Sequence, residues 1–90
     1  MVYKISNPTT DKFYIGRTRG SLKNRWRKHW LDAMRGSWCN LHSAIREFPY
    51  LEQWKTEVLY ETPSAQEDRV IEKRLIMETR AHIIGYNMKT

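Results

Sequence analysis

A single cysteine, Cys39, is the chain's whole stock of thiol, so no intramolecular disulfide can form and no all-cysteine zinc site can be built. Long apolar runs are absent as well. None approaches the roughly 20 residues that a membrane span needs, and the first residues lack the apolar core of a secretory signal. A cytoplasmic chain with no membrane partner is therefore expected. Glycine and proline are scarce, at four and three in 90 residues, and no repeat, low-complexity tract or linker divides the chain. One domain over residues 1–90 is expected, because that length leaves no room for a second hydrophobic core. Acid is the minority charge: ten Asp and Glu face sixteen Lys and Arg, giving +6 at pH 7 and a pI near 9.7. The excess is clustered. Arg17, Arg19, Lys23, Arg25, Arg27, Lys28 and Arg35 put seven positive charges into nineteen residues, with Asp32 the only acid among them. A patch of that density suits a polyanion, whose phosphates it neutralises with release of counterions, although a net charge of this size also serves solubility alone.

What the chain has in plenty is aromatic surface. Four Trp, five Tyr and two Phe supply a core that so short a chain would otherwise lack, each burying on the order of 150–250 Å². Residues 2–6 and 12–17 are rich in Val, Tyr, Ile and Phe and flank the turn-forming Asn7-Pro8-Thr9-Thr10-Asp11, so they read as a β-hairpin. Alternation sends Tyr3 and Ile5 to one face and sets Tyr14 and Gly16 opposite Phe13 and Ile15. Gly16 marks a place where the backbone needs freedom or where something approaches closely. Ser21 is a good N-cap for a helix from Leu22 to about Ala33. Its buried stripe is Leu22, Trp26, Trp30 and Ala33, and Gly36 stops it. A second helix over 40–48 turns Leu41, Ala44, Ile45 and Phe48 inward and closes at Pro49. Trp54 to Tyr60 alternates as a third strand, with Trp54, Thr56, Val58 and Tyr60 on one side. Ser64 and Glu67 make a capping box that opens a final helix running to about Ala81, and Gly85-Tyr86-Asn87 follows as a turn. Three strands and three to four helical segments make an α+β chain.

Some polar residues stand out against that pattern. Arg25 and His29 lie one turn apart, where both can reach one ligand. Glu72 falls one turn before both Leu75 and Ile76, on the apolar side of the last helix. A carboxylate there is costly unless it is paired or holds a metal. The plain alternatives are a Glu72 that reaches water or bridges to an arginine, tyrosines that are ordinary strand residues, and an Arg25 that is surface charge. His29, Cys39 and His42 match no common zinc spacing. Trp38 suits stacking on a base or packing.

Taken together these residues resemble the GIY-YIG nuclease family. Val2-Tyr3 stands where the family's first motif has its isoleucine and tyrosine, and Tyr14-Ile15-Gly16 matches the second motif, eleven residues on from Tyr3. Arg25-Trp26-Arg27-Lys28-His29 looks like the family's arginine helix, Glu72 like its metal glutamate and Gly85-Tyr86-Asn87 like its closing element. The correspondence runs through nearly the whole chain. One departure is plain: Met1-Val2 replaces glycine-isoleucine, so the glycine of the first motif is missing while the strand and its tyrosine are kept.

The resemblance implies a GIY-YIG domain, with a three-stranded antiparallel sheet flanked by three to four helices. It also implies a metal-dependent endonuclease that hydrolyses phosphodiester bonds of double-stranded or branched DNA. Glu72 would hold one Mg²⁺ per site, with Mn²⁺ as a substitute. Arg25 would neutralise the pentacovalent phosphate. Tyr3 would be the general base, Tyr14 would position phosphate or water, and His29 would orient Tyr3 or relay its proton. Lys12, Arg17, Arg19, Arg27 and Lys28 would contact neighbouring phosphates, together with Asn87. A bacterial or phage-infected host cell, and a phage or mobile-element origin, fit this reading. The alternatives are a non-catalytic nucleic-acid-binding module on the same fold and a ribonuclease. One active site per chain implies nicking, with double-strand breaks requiring two chains or two events. Ninety residues are consumed by the catalytic fold, so the protein alone is expected to cut with weak sequence specificity. A homodimer or a separate partner would have to supply more. Sharp single-site digestion by the monomer would overturn that expectation.

Overall fold

Strand β1, Val2–Asn7, holds the middle of the sheet because it is apolar towards both faces. The computed structural model describes residues 1–87. It pairs β1 antiparallel with β2, Lys12–Arg17, on one side and with β3, Lys55–Tyr60, on the other, in the order β2-β1-β3. Val2 packs with Ile15 and Ala81 on one face, while Tyr3 and Ile5 enter a larger cluster on the other. The hairpin turn is held by Asn7. Its Oδ1 accepts from Thr9 N at 2.9 Å, its carbonyl accepts from Thr10 N and Asp11 N, and Asp11 takes the left-handed conformation at φ 59° that this residue type tolerates.

Helix α1, Leu22–Met34, begins where Ser21 Oγ accepts from Asn24 N at 3.1 Å. With α2, Asn40–Glu47, it covers the Tyr3 face. Trp26 stacks edge-on against Trp30 at 5.7 Å and lies 5.8 Å from Trp54, which is itself 5.8 Å from Tyr86. That aromatic row is how a thin core is filled. Trp54 precedes β3, and its indole N–H donates to Phe48 O at 2.8 Å after a 3-10 turn at Leu51–Gln53 that the sequence pattern did not foretell. Exposure alternates along the third strand as expected, with Thr56, Val58 and Tyr60 exposed and Glu57 and Leu59 half-buried, but its pairing carries an irregularity that alternation did not reveal. The register passes from Val2↔Tyr60 to Tyr3↔Val58, so Leu59 is an extra residue that packs with Val2 and Ile15, while Val58 and Tyr60 face solvent.

The opposite face is covered by α3, Ala65–Thr79, and by the short α4, Ala81–Ile84. The expectation of one helix to about Ala81 is corrected at Arg80, whose left-handed backbone at φ 59° ends α3 and restarts the chain in a new direction. The redirection puts Ala81 into the core and carries Gly85 past β2. A Cβ on Gly85 would strike Phe13 O and come within 2.9 Å of Ala81 O. The chain then seals the free edge of β2: Tyr86 N donates to Phe13 O at 2.7 Å, Asn87 Oδ1 accepts from Ile15 N at 2.8 Å, and Asn87 Nδ2 donates to Ile15 O at 2.7 Å. Among the described residues no helix is long and apolar enough to cross a membrane. Replacing Asn87 by Ala leaves a buried strand N–H and C=O unpaired. The Asn87→Ala protein should lose about 1–3 kcal/mol of stability, read from urea unfolding.

Candidate active site

At the end of the hairpin away from its turn, Tyr3 stands opposite Gly16. A Cβ on Gly16 would collide with the Tyr3 hydroxyl and come within 2.5 Å of its Cζ and 2.7 Å of Tyr14 Cε1. The close approach that Gly16 permits is therefore that of a phenol. Tyr3 itself is wholly buried. Its hydroxyl meets His29 Nε2 at 2.8 Å and accepts a longer contact from Arg25 Nε at 3.3 Å. The one-turn spacing of Arg25 and His29 on α1 is what lets both reach a single oxygen. Tyr14 completes the cluster, its ring 5.3 Å from that of His29 and 6.2 Å from that of Tyr3.

Beside this cluster an open pocket of about 370 Å³ is lined by Tyr14, Arg17, Arg19, Arg25, Asp68 and Glu72. Tyr3 and His29 lie behind its wall. Glu72 is half-buried and pairs with Arg17 Nε at 3.3 Å. Burial raises its carboxyl, against the opposing charge and hydrogen bond of Arg17. One turn earlier on α3, Asp68 is fully buried and saturated. Its Oδ2 receives the Met1 ammonium at 2.6 Å and Arg19 Nη1 at 2.9 Å, and its Oδ1 receives Thr62 Oγ1 at 2.7 Å. Hydrogen bonds from the ammonium and Thr62 hold its carboxyl down at about 2.

Burial raises both phenols. In Tyr3 the hydrogen bond and charge of Arg25 oppose that rise, whereas in Tyr14 the neighbouring Tyr3 adds to it. Burial, then the Arg25 charge, pushes His29 down to about 3, so its imidazole is neutral at pH 7. A neutral imidazole offers a lone pair, which the buried Tyr3 hydroxyl can use as a proton acceptor.

Tyr3, Tyr14, Arg25, His29 and Glu72 are thus brought together, with Arg17 and Arg19 on the pocket wall. Arg27 and Lys28 are exposed on α1. Lys12 sits at the turn end of the hairpin, pairing with Asn7, and is not part of the pocket. Asn87 is buried and turned inward, with its amide oxygen and nitrogen both bonded to Ile15, which ties it to β2. Among the described residues no cluster of three or more His, Cys, Asp and Glu could hold a metal ion. Three participants escape the sequence pattern. His42 and Ser37 extend the line beyond His29, through His29 Nδ1···His42 Nε2 at 2.8 Å and His42 Nδ1···Ser37 Oγ at 2.7 Å. Asp68 is foreshadowed only by standing one turn before Glu72.

A family model described as the GIY-YIG catalytic domain matches residues 1–87. The chain is similar to the solved catalytic domain of the homing endonuclease I-TevI, at 24% sequence identity and a TM-score of 0.82, covering 99% of this chain and 97% of that one. It is likewise similar to a mutant of the catalytic domain of the intron endonuclease I-TevI, at 24% identity and a TM-score of 0.84, covering 99% and 92%. No curated protein matches the chain. Likeness at this identity bears on the fold.

Because His29 stays neutral in the folded protein down to about pH 3, the unfolded chain binds one more proton between pH 3 and its ordinary value near 6.5. Stability is then lost as pH falls through that window, at a slope of about 1.4 kcal/mol per pH unit. Urea unfolding at pH 7 and pH 5 should differ by at least about 1–2 kcal/mol, and His29→Gln should reduce the difference, leaving the part due to His42, which burial also lowers.

Proposed function

Because the chain belongs to the GIY-YIG nuclease family and is an endonuclease domain, we propose that it hydrolyses DNA phosphodiesters in the pocket between α1 and α3. The observation that carries this is the convergence of Arg25, Tyr14 and Glu72 on one basic pocket, with the hydroxyl of Tyr3 held behind it by Arg25 and His29. Arg17, Arg19 and Arg25 give the pocket a positive wall that draws in a backbone phosphate, while the exposed Arg27 and Lys28 extend the charge along α1.

Glu72 is the residue to hold a divalent cation. The donors that reach the pocket are carboxylate oxygens, which suit a hard ion such as Mg²⁺. Asp68 has no free oxygen to add, so one carboxylate, water and substrate phosphate would complete the shell. A cation bound there supplies Lewis-acid stabilisation of the scissile phosphate and of the leaving 3′ oxygen.

The remaining roles fall to the chain's own groups. The Arg25 fork neutralises charge that develops on the phosphate oxygens. Tyr14, a neutral phenol on the pocket wall, donates a hydrogen bond that orients phosphate or water. Tyr3 receives the proton of the attacking water. Its hydroxyl is closed off while Arg25 rests on it, and a phosphate that draws Arg25 into the pocket opens it. His29 Nε2 takes the phenol's own proton at the same stage.

The test is conversion of supercoiled plasmid with Mg²⁺, with EDTA, and with Glu72→Ala and Arg25→Ala in parallel. Nicked product is expected only from the unmodified protein with metal, and each variant should lose on the order of 100-fold or more in rate. Retardation of DNA with no cutting under any condition would favour a binding module on the same fold. Cutting that survives Glu72→Ala would place the metal on another residue.

A further inference from the structure

The hydroxyl of Tyr3 has no exposed surface, and the line of hydrogen bonds that starts on it does not stop at His29. Helix α2 packs its first turn against the middle of α1, which brings the buried His42 onto His29 Nδ1 at 2.8 Å. The other His42 nitrogen meets Ser37 Oγ at 2.7 Å. Ser37 lies half-buried in the loop between the two helices, between the exposed Gly36 and Trp38 and away from the lining of the pocket. That loop is pinned, since Arg46 Nη1 donates to Ser37 O at 2.7 Å and to Ala33 O at 2.8 Å. All four imidazole nitrogens are partnered, and two neutral imidazoles in such a row admit only two concerted proton arrangements, all outward or all inward. The Tyr3 oxygen accepts from Arg25 Nε and can give its own proton to His29, and the relay takes this outward arrangement as the resting one.

Resting on the reading of Tyr3 as the proton acceptor in DNA cleavage, we propose that His42 and Ser37 form the outward leg of a proton relay. The relay connects the buried Tyr3 hydroxyl to solvent on the α1–α2 loop. Along it the Tyr3 proton goes to His29 Nε2, the His29 Nδ1 proton to His42 Nε2, and the His42 Nδ1 proton to Ser37 Oγ, whose own proton leaves to water. One proton exits, both tautomers are inverted, and no imidazolium remains. His42 is a positioning residue in this scheme, acting on the phenol through His29. Burial keeps both imidazoles low, which fits two neutral carriers. The charges facing His42 are Asp32 and Arg25 from α1 and Arg46 from α2, with His29 as its direct neighbour.

The experiment is single-turnover plasmid cleavage with Mg²⁺ from pH 6 to 10, comparing the unmodified protein with His42→Gln. The amide of Gln can still accept from His29 but has no second tautomer. The relay predicts a loss on the order of 100-fold near neutral pH that shrinks as pH rises towards the phenol's own ionisation, with plasmid affinity in the absence of metal unchanged. Equal rates for the two proteins, or a loss that is the same at every pH, would overturn it. If the unmodified protein cuts no DNA at all, the functional reading fails first and the relay falls with it. A variant-free check is long-range ¹H–¹⁵N correlation of the histidine rings at pH 7. Both His29 and His42 should carry their proton on Nδ1, and a proton on Nε2 of either ring would overturn the relay.

Discussion

A phenol oxygen buried in a protein core must be hydrogen-bonded or it destabilises the fold by an amount comparable to a lost hydrogen bond. Tyr3 meets that requirement from one helix, through Arg25 and His29. The rest of the site depends on it. The rotation of α1 about its axis is fixed because two residues one turn apart must converge on a single atom, and that rotation also turns Trp26 and Trp30 into the core. Gly16 has to lack a side chain because the same phenol lies against its backbone. His42 follows in turn, since the second nitrogen of a buried imidazole needs a partner as much as the first.

The two acids on α3 show how identical chemistry is set to different ends by position. Asp68 and Glu72 are one turn apart and line the same pocket. Asp68 is ringed by three donors and is held ionised, tying the N-terminal residue and the loop at Thr62 to the helix. Glu72 has Arg17 as its one ion pair among the described residues, and burial works against its charge. A carboxylate with unspent acceptor capacity beside a positive wall is a place where a cation and a phosphate can share the charge balance. A saturated one is a fastener. The neutral imidazole of His29 belongs to the same logic, because burial, and then the Arg25 charge, disfavours its cation, so a proton taken at Nε2 has to be passed on from Nδ1.

Sequence alone determined much of this protein. Period-two apolar residues at 2–6 and 12–17 and the turn formers between them specified the hairpin, and the 3.6-residue stripe of Leu22, Trp26, Trp30 and Ala33 specified α1, as these are short-range preferences that each segment expresses by itself. The one-turn spacing of Arg25 and His29 was legible for the same reason, and the order of the short motifs pointed to the family. What only the tertiary structure decided was pairing between distant segments. The bulge at Leu59 arises because β3 must both pair with β1 and fill the space beneath α3. The break at Arg80 arises because the chain must turn back to seal the edge of β2, which converts Asn87 from an expected nucleic-acid contact into a staple. Burial of Tyr3, saturation of Asp68 and the approach of His42 to His29 have no local signature, since solvent exposure and hydrogen-bond partners are properties of packed neighbours and not of spacing along one chain.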